Sequence, residues 1–306
     1  MQRIVLGDVE ITRVVEWQGP VAPTRAVVPG VGEEVWKRNG DWLAPEFWDR
    51  EGDRYVAALQ TWVVRSEGRT VLVDTGVGNG RQRPATPRFD DMWTDFPDRL
   101  AAAGVHPEEV DVVVNTHLHA DHVGWNTVAQ DGNWVPMFPN ARYLIPAADD
   151  ARLDPAQAHR RPAPVDAAQR LRREHERFLY TDSVEPVHRA GLSELWDGEY
   201  RIDGNLVLEA APGHTPGSSV LRLESRGERA VFVGDLLHSP VQILEPGCNS
   251  CFCEDPEQAA ASRRRILERA ADQRELVVPA HFGGAGAARV QRDGSRFTVS
   301  GWAQAV

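Results

Sequence analysis

Thr116-His117-Leu118-His119-Ala120-Asp121-His122 follows directly on the apolar run Val110-Asp111-Val112-Val113-Val114-Asn115, and this junction decides the fold. The run is short and almost continuously apolar, as a strand covered on both faces is. His117, His119, Asp121 and His122 then crowd the point where it ends. Imidazoles and carboxylates are costly to bury unless they are hydrogen-bonded or hold a metal, so packing alone is a poor reason for four of them here. From a turn or a first helical turn, His117 and His119 can aim at one cation, and Asp121 and His122 at a second. Neutral imidazole and carboxylate suit zinc and neighbouring transition metals.

Outward from this centre, polar residues recur where apolar strands stop. Asp74 ends the second strand of a hairpin read over Tyr55–Val64 and Thr70–Val73. His214 stands in Pro212-Gly213-His214-Thr215-Pro216-Gly217 after the strand Leu206–Ala211. Asp235 follows Ala230–Gly234, and His281 follows Leu276–Pro279. Taken singly, a strand-end aspartate is more often a turn residue. The repetition of one placement argues otherwise, because strand ends at one sheet edge are where α/β enzymes gather site residues. His106, His159, His175, His188 and, less clearly, His238 lack that context, and no Gly-x-Ser-x-Gly elbow offers a serine nucleophile.

The rest of the 306-residue chain frames these positions as one domain, 1–306. Residues 3–16 read as a hairpin about Gly7-Asp8, and 289–299 as a closing hairpin about Asp293-Gly294. Helices are expected over 98–103, 166–179 and, with Asp255 as cap and Pro256 at its first position, 256–271. Residues 18–53 show no period, and with Trp36, Trp42 and Trp48 they are expected to be an aromatic loop, either a lid over the pocket or a dimer arm. Residues 147–190 read as a charged helical insert. A net charge of −11 argues against a nucleic-acid partner. No apolar stretch has the roughly 20 residues needed to cross a membrane, and the first residues lack a signal-peptide pattern, so a cytoplasmic protein is expected. Cys248, Cys251 and Cys253 have no second Cys or His pair nearby to complete a four-ligand site, and are expected to be packing thiols.

His117-Leu118-His119-Ala120-Asp121-His122 resembles the H-x-H-x-D-H signature of the metallo-β-lactamase superfamily. Asp74-Thr75-Gly76, Pro212 to Gly217, Gly234-Asp235 and Pro279-Ala280-His281 are similar to its remaining motifs, in the same order. The resemblance implies an αββα sandwich, two mixed β-sheets flanked by helices, with two Zn2+ ions at one edge (Fe, Mn or Co being substitutes). It places His117, His119 and His214 on the first metal, Asp121, His122 and His281 on the second, and Asp235 between both. Asp74 would orient a ligand from behind. Water shared by the metals would attack the substrate, with Asp121 handling its proton.

Asp235 is unlike true β-lactamases, and His119 is unlike flavodiiron relatives. What remains is a hydrolase of small molecules, resembling YtnP-type quorum-quenching lactonases and the methyl-parathion-hydrolase branch. The expected substrate is an N-acyl homoserine lactone or a related lactone or ester. Organophosphate or aryl-ester hydrolysis and glyoxalase-II-like thioester hydrolysis are the alternatives, and a mononuclear-iron sulfur dioxygenase is the alternative of another class. Where many lactonases carry a tyrosine three residues after the bridging aspartate, this chain departs with His238. His238 is expected either to donate the same hydrogen bond to the substrate carbonyl as a catalytic residue or to partner the loop structurally, a departure that counts against a classical acyl-homoserine-lactone preference. A homodimer is also implied.

Overall fold

Val112, Val113 and Val114 are apolar in succession because both faces of their strand are covered. In the computed structural model, which describes residues 2–304, Val112 and Val114 point between two sheets and Val113 points outward under a helical layer. Each such side chain contributes about 1.5–3 kcal/mol relative to an exposed one.

The first sheet comprises β1 (Gln2–Leu6), β2 (Val9–Pro23), β3 (Trp48–Asp49), β4 (Arg54–Ser66), β5 (Arg69–Val73) and β6 (Val112–Val114). A separate hairpin of β7 (Thr127–Gln130) and β8 (Asn133–Pro136) intervenes before the sheet resumes with β9 (Arg142–Pro146) and β10 (Ser193–Trp196). Its order is β1-β2-β4-β5-β6-β9-β10, with β3 beside β4; β5, β6, β9 and β10 run parallel. The second sheet follows chain order: β11 (Glu199–Arg201), β12 (Leu206–Ala210), β13 (Ser219–Ser225), β14 (Glu228–Gly234), β15 (Leu276–Pro279), β16 (Ala288–Asp293) and β17 (Arg296–Trp302). Only its β14–β15 pair is parallel.

The helices are α1 (Thr24–Val27), α2 (Glu33–Arg38), α3 (Gly40–Leu43), α4 (Phe96–Ala102), α5 (Ala147–Leu153), α6 (Ala167–Leu179), α7 (Glu185–Arg189), α8 (Val241–Leu244) and α9 (Pro256–Gln273). Between the sheets, Trp62, Val71, Val73 and Leu144 meet Leu208, Leu221, Phe232 and Val278. Outside the first sheet, Val63, Leu72 and Ile145 pack against Phe96, Leu153, Leu179 and Val187. Outside the second, Val231, Val233 and Val277 pack against Ile266, Leu267 and Ala270 of α9. The layers are therefore helix, sheet, sheet, helix. The expected αββα architecture is what the chain forms.

Segment 18–53 differs from the expected loop. Residues up to Pro23 extend β2, then α1, α2, α3 and β3 follow. Trp36 and Trp48 are 2% and 5% exposed, inside the core cluster of Val231 and Phe282. Burying these aromatics against the second sheet removes more apolar surface from water than holding them over a pocket would. Trp36 and Trp48 are core residues. Residues 147–189 are largely helical, with a π-helical turn at Tyr180–Val184 joining α6 to α7. No helix among the described residues is long and apolar enough to cross a membrane.

Candidate metal centre

The site forms at one edge of the sandwich because β5, β6, β12, β14 and β15 all release their chains there. β5 leads to Asp74, β6 to the histidine motif, β12 to His214, β14 to Asp235 and β15 to His281. Gly234 makes the last turn before Asp235 at φ +48, in the left-handed region. A Cβ there would lie 2.8 Å from Thr116 Oγ1, so only glycine lets the two sheets close at this point.

All seven expected ligands come together. His117, His119, His214 and Asp235 form one group and Asp121, His122 and His281 another; within each group, potential ligand atoms lie within 4.8 Å of one another. His119 Nδ1 is 3.0 Å from both His117 Nε2 and His214 Nε2. Asp235 faces both groups. Its Oδ2 lies 3.2 Å from His214 Nε2 and 3.7 Å from His117 Nε2, while its Oδ1 lies 3.2 Å from His122 Nε2 and 3.0 Å from His281 Nε2. Asp121 completes the second group, with Oδ1 3.8 Å from His122 Nε2 and Oδ2 3.6 Å from His281 Nε2.

Ring nitrogens turned toward each other at hydrogen-bond distance make poor mutual partners, but good neighbours around a cation. Two nitrogens bound tetrahedrally at about 2.0–2.1 Å from one zinc stand about 3.3 Å apart. His122 Nε2 and Asp235 Oδ1 are buried without a hydrogen bond despite their closeness. Orphaned polar atoms converging in this way are what a metal would satisfy, and the donor set fits a divalent ion.

The far sides of the rings are anchored. Asp74, at φ +57, accepts from Thr116 N (2.8 Å) and Thr116 Oγ1 (2.9 Å), and its Oδ2 lies 2.9 Å from His122 Nδ1. It thus lies behind His122, on the side away from the cluster. His281 Nδ1 meets the Ala58 carbonyl at 3.0 Å, and His117 Nδ1 meets Thr116 Oγ1 at 3.1 Å.

The charges are strongly coupled. Burial pushes Asp235 up, but His281 and His122 outweigh it and hold the carboxyl well below its usual range. Burial lowers His122, yet Asp235 and Asp74 carry it well above the ordinary value. His214, opposed by burial but bonded to Asp235 and Cys253, is pushed up to about 9. His117 and His119 go well below, through burial and, secondarily, neighbouring rings. The upward shift of His214, from its bonds to Asp235 and Cys253, favours its protonated form, and a ligand nitrogen must give up that proton. Adding zinc to metal-free protein in weakly buffered neutral solution should release at least one proton per chain, and binding should weaken as pH falls. Metal uptake without acidification would contradict this.

A sequence model described as the metallo-β-lactamase superfamily matches residues 56–281, enclosing every motif above. The chain belongs to the metallo-β-lactamase superfamily. It is a metal-dependent hydrolase of that superfamily, and its His/Asp cluster could hold the divalent metal that the superfamily implies. Among curated proteins, Ribonuclease TTHA0252 of Thermus thermophilus is 27% identical over 179 residues; the match takes in 58% of this chain and only 35% of that protein. Three solved structures share the superfamily fold. The hydrolase AbOPH superposes with TM-score 0.77 at 23% identity, covering 97% of this chain and 96% of that one. AidC, a dizinc quorum-quenching lactonase in complex with a hexanoyl-homoserine product, gives 0.75 at 20%, covering 99% and 97%. A probable metal-dependent hydrolase from Staphylococcus aureus gives 0.75 at 17%, covering 98% of each chain.

His238 is singled out by its position in the sequence; the contacts of Tyr55, Cys253 and Asp149 around the centre have no sequence signal. His238, three residues after Asp235, is 3% exposed, with Nε2 3.2 Å from Asp235 Oδ2 and Nδ1 unpartnered. Burial lowers its pKa to about 4, so the ring is neutral. Tyr55 donates to the His238 carbonyl at 2.8 Å. Cys253 Sγ lies 3.7 Å from His214 Nδ1, a contact that the sequence reading of the three cysteines did not foresee. Asp149, read from sequence only as part of a charged helical insert, accepts from Leu118 N at 2.9 Å and from Thr215 Oγ1 at 2.8 Å. No spacing rule flags a carboxylate in a first helical turn as a brace for two distant loops.

Proposed function

We propose that the protein is a dinuclear zinc hydrolase that opens lactones or cleaves related esters, with N-acyl homoserine lactones as the leading substrate class. The observation that carries this reading is the placement of Asp235, one oxygen toward each group of ligands. A carboxylate so placed serves a pair of ions better than a single ion. His117, His119 and His214 would hold the first, Asp121, His122 and His281 the second, with Asp235 facing both groups. Such ions, when bound, would supply an activated water and Lewis-acid polarisation of the substrate.

The chain's own residues do the rest. Asp121, partly exposed where the other carboxylate is buried, is placed to accept the proton of the attacking water and return it to the leaving alkoxide. For a lactone, the C–O bond that breaks leaves acid and alcohol in one product molecule. His238 is neutral, and its Nε2, 3.2 Å from Asp235 Oδ2, is the ring nitrogen that faces the centre and would donate to the substrate. Likeness in fold to AidC, a dizinc quorum-quenching lactonase, supports the lactone reading. The ribonuclease match favours RNA as substrate less, because a net charge of −11 repels a phosphate backbone.

The test is metal analysis of protein purified without added zinc, beside turnover on lactones, thioesters, aryl phosphotriesters and RNA, with and without oxygen. About two metals per chain and oxygen-independent lactone opening are expected. One iron per chain with oxygen uptake on a persulfide would replace this reading with a dioxygenase. His238→Phe should lower turnover about 10²-fold while leaving metal content unchanged. Unaltered kinetics on the best substrate would reduce His238 to packing.

A further inference from the structure

Three of the buried rings at the centre have the nitrogen facing away from the cluster held by a neighbour. For His117 the partner is Thr116 Oγ1, for His122 Asp74 Oδ2, and for His281 the Ala58 carbonyl. His214 has the same geometry with a different chemistry. Its Nε2 faces Asp235 at 3.2 Å, and the atom beside Nδ1 is Cys253 Sγ at 3.7 Å, a hydrogen-bond length for sulfur.

We propose that Cys253 is a positioning residue of the metal centre: its sulfur accepts the Nδ1–H of His214 and fixes the tautomer that leaves Nε2 free for the first cation. The inference rests on the metal reading proposed above and adds a member to it. Four observations carry it. The backbone ties the two segments together, Glu254 N donating to the His214 carbonyl at 3.0 Å and Asp255 N to the Gly213 carbonyl at 2.9 Å. Ser250 Oγ lies 3.5 Å from the same sulfur and helps hold it in place. The loop is strapped at its other end, where Cys251 N donates to the Val27 carbonyl at 2.8 Å and Cys248 Sγ to the Gly30 carbonyl at 3.1 Å. Finally, Phe252 stacks on His238 with centroids 5.6 Å apart and planes inclined by 26°, so consecutive residues of the loop touch two histidines of the centre.

The three cysteines thus differ. Cys248 bonds to the N-terminal segment and Cys251 is exposed, while Cys253 alone reaches a candidate ligand. An outer partner of this kind fixes ring orientation and tautomer, and its loss costs metal affinity even though it never touches the ion.

The experiment is zinc affinity by chelator competition, with the visible spectrum of the cobalt-loaded protein, for wild type, Cys253→Ala, Cys253→Val, Cys253→Ser and Cys251→Ala. Cys253→Ala and Cys253→Val should weaken one of two ions about 10- to 100-fold and alter the cobalt spectrum. Cys253→Ser, which keeps an acceptor, should recover most of the loss, and Cys251→Ala should match wild type. The metal-free melting temperature, read for every variant, separates loss of fold from loss of orientation; Val keeps bulk should Ala fail to fold. Wild-type affinity in both Cys253→Ala and Cys253→Val, or an equal loss in Cys251→Ala, would overturn the role of Cys253 alone. A wild-type chain binding one ion would overturn the dinuclear reading, and the same variants would still decide Cys253 on that ion. A chain binding none would overturn both.

Discussion

Asp235→Asn is expected to empty both metal positions at micromolar free zinc and to lower turnover by roughly 10³-fold. The native carboxylate offers Oδ1 to His122 and His281 and Oδ2 to His214 and His117, all within 3.7 Å. An amide of the same shape keeps one acceptor oxygen and turns an NH2 toward the other group. That end repels a cation, and the single negative charge shared by both groups is gone. Removing a charge at 5% exposure acts in a medium where Coulomb terms are weakly screened, so the effect reaches both ions. Asp121→Asn provides the contrast, because Asp121 faces only His122 and His281 and should weaken one ion. Metals counted per chain, with turnover measured on the best lactone or ester, check the pair. An Asp235→Asn protein with two metals and full activity would remove the bridging role.

The difference between those two aspartates was legible in the sequence only through position. Asp121 stands in the motif and Asp235 at the end of an apolar strand, and strand-end placement was enough to gather Asp74, His214, Asp235 and His281 with it. The layers were legible for the same reason: β6, β14 and β15 are buried on both faces, and continuous apolar runs record that. The losses have physical causes too. β10 and β11 are four and three residues long with mostly partly exposed or exposed side chains, leaving little periodicity to read. Segment 18–53 folds through short helices of four to six residues, which tertiary packing of Trp36 and Trp48 stabilises and local propensity does not. Cys253 and Asp149 act through contacts to loops far away in sequence, His214 lying 39 residues from Cys253 and Gly217 lying 68 from Asp149, so no local pattern marks them.

Asp149→Ala should therefore damage more than its place in α5 implies. The carboxylate is fully buried and accepts from Leu118 N and Thr215 Oγ1 through Oδ2, and from Gly217 N at 2.7 Å through Oδ1. Leu118 lies between His117 and His119, and Thr215 follows His214, so one side chain ties together the two loops that supply the first group of ligands. Alanine leaves two backbone N–H groups without an acceptor, and Thr215 keeps only its contact with Ser218 Oγ at 2.8 Å. An unsatisfied buried donor costs about 1–3 kcal/mol, and the destabilisation expected from the set is about 3–5 kcal/mol. Chemical denaturation of the metal-free protein measures that part. Loosened loops should also separate His119 from His214, 3.0 Å apart in the native chain, so the first ion should weaken more than the second. Asp149→Asn discriminates strain from geometry: it retains one acceptor oxygen, and should regain part of the stability while still misdirecting one loop with its NH2. Equal stability of Asp149→Ala and wild type, or equal weakening of both ions, would show that Thr215 and Leu118 find their positions without this carboxylate.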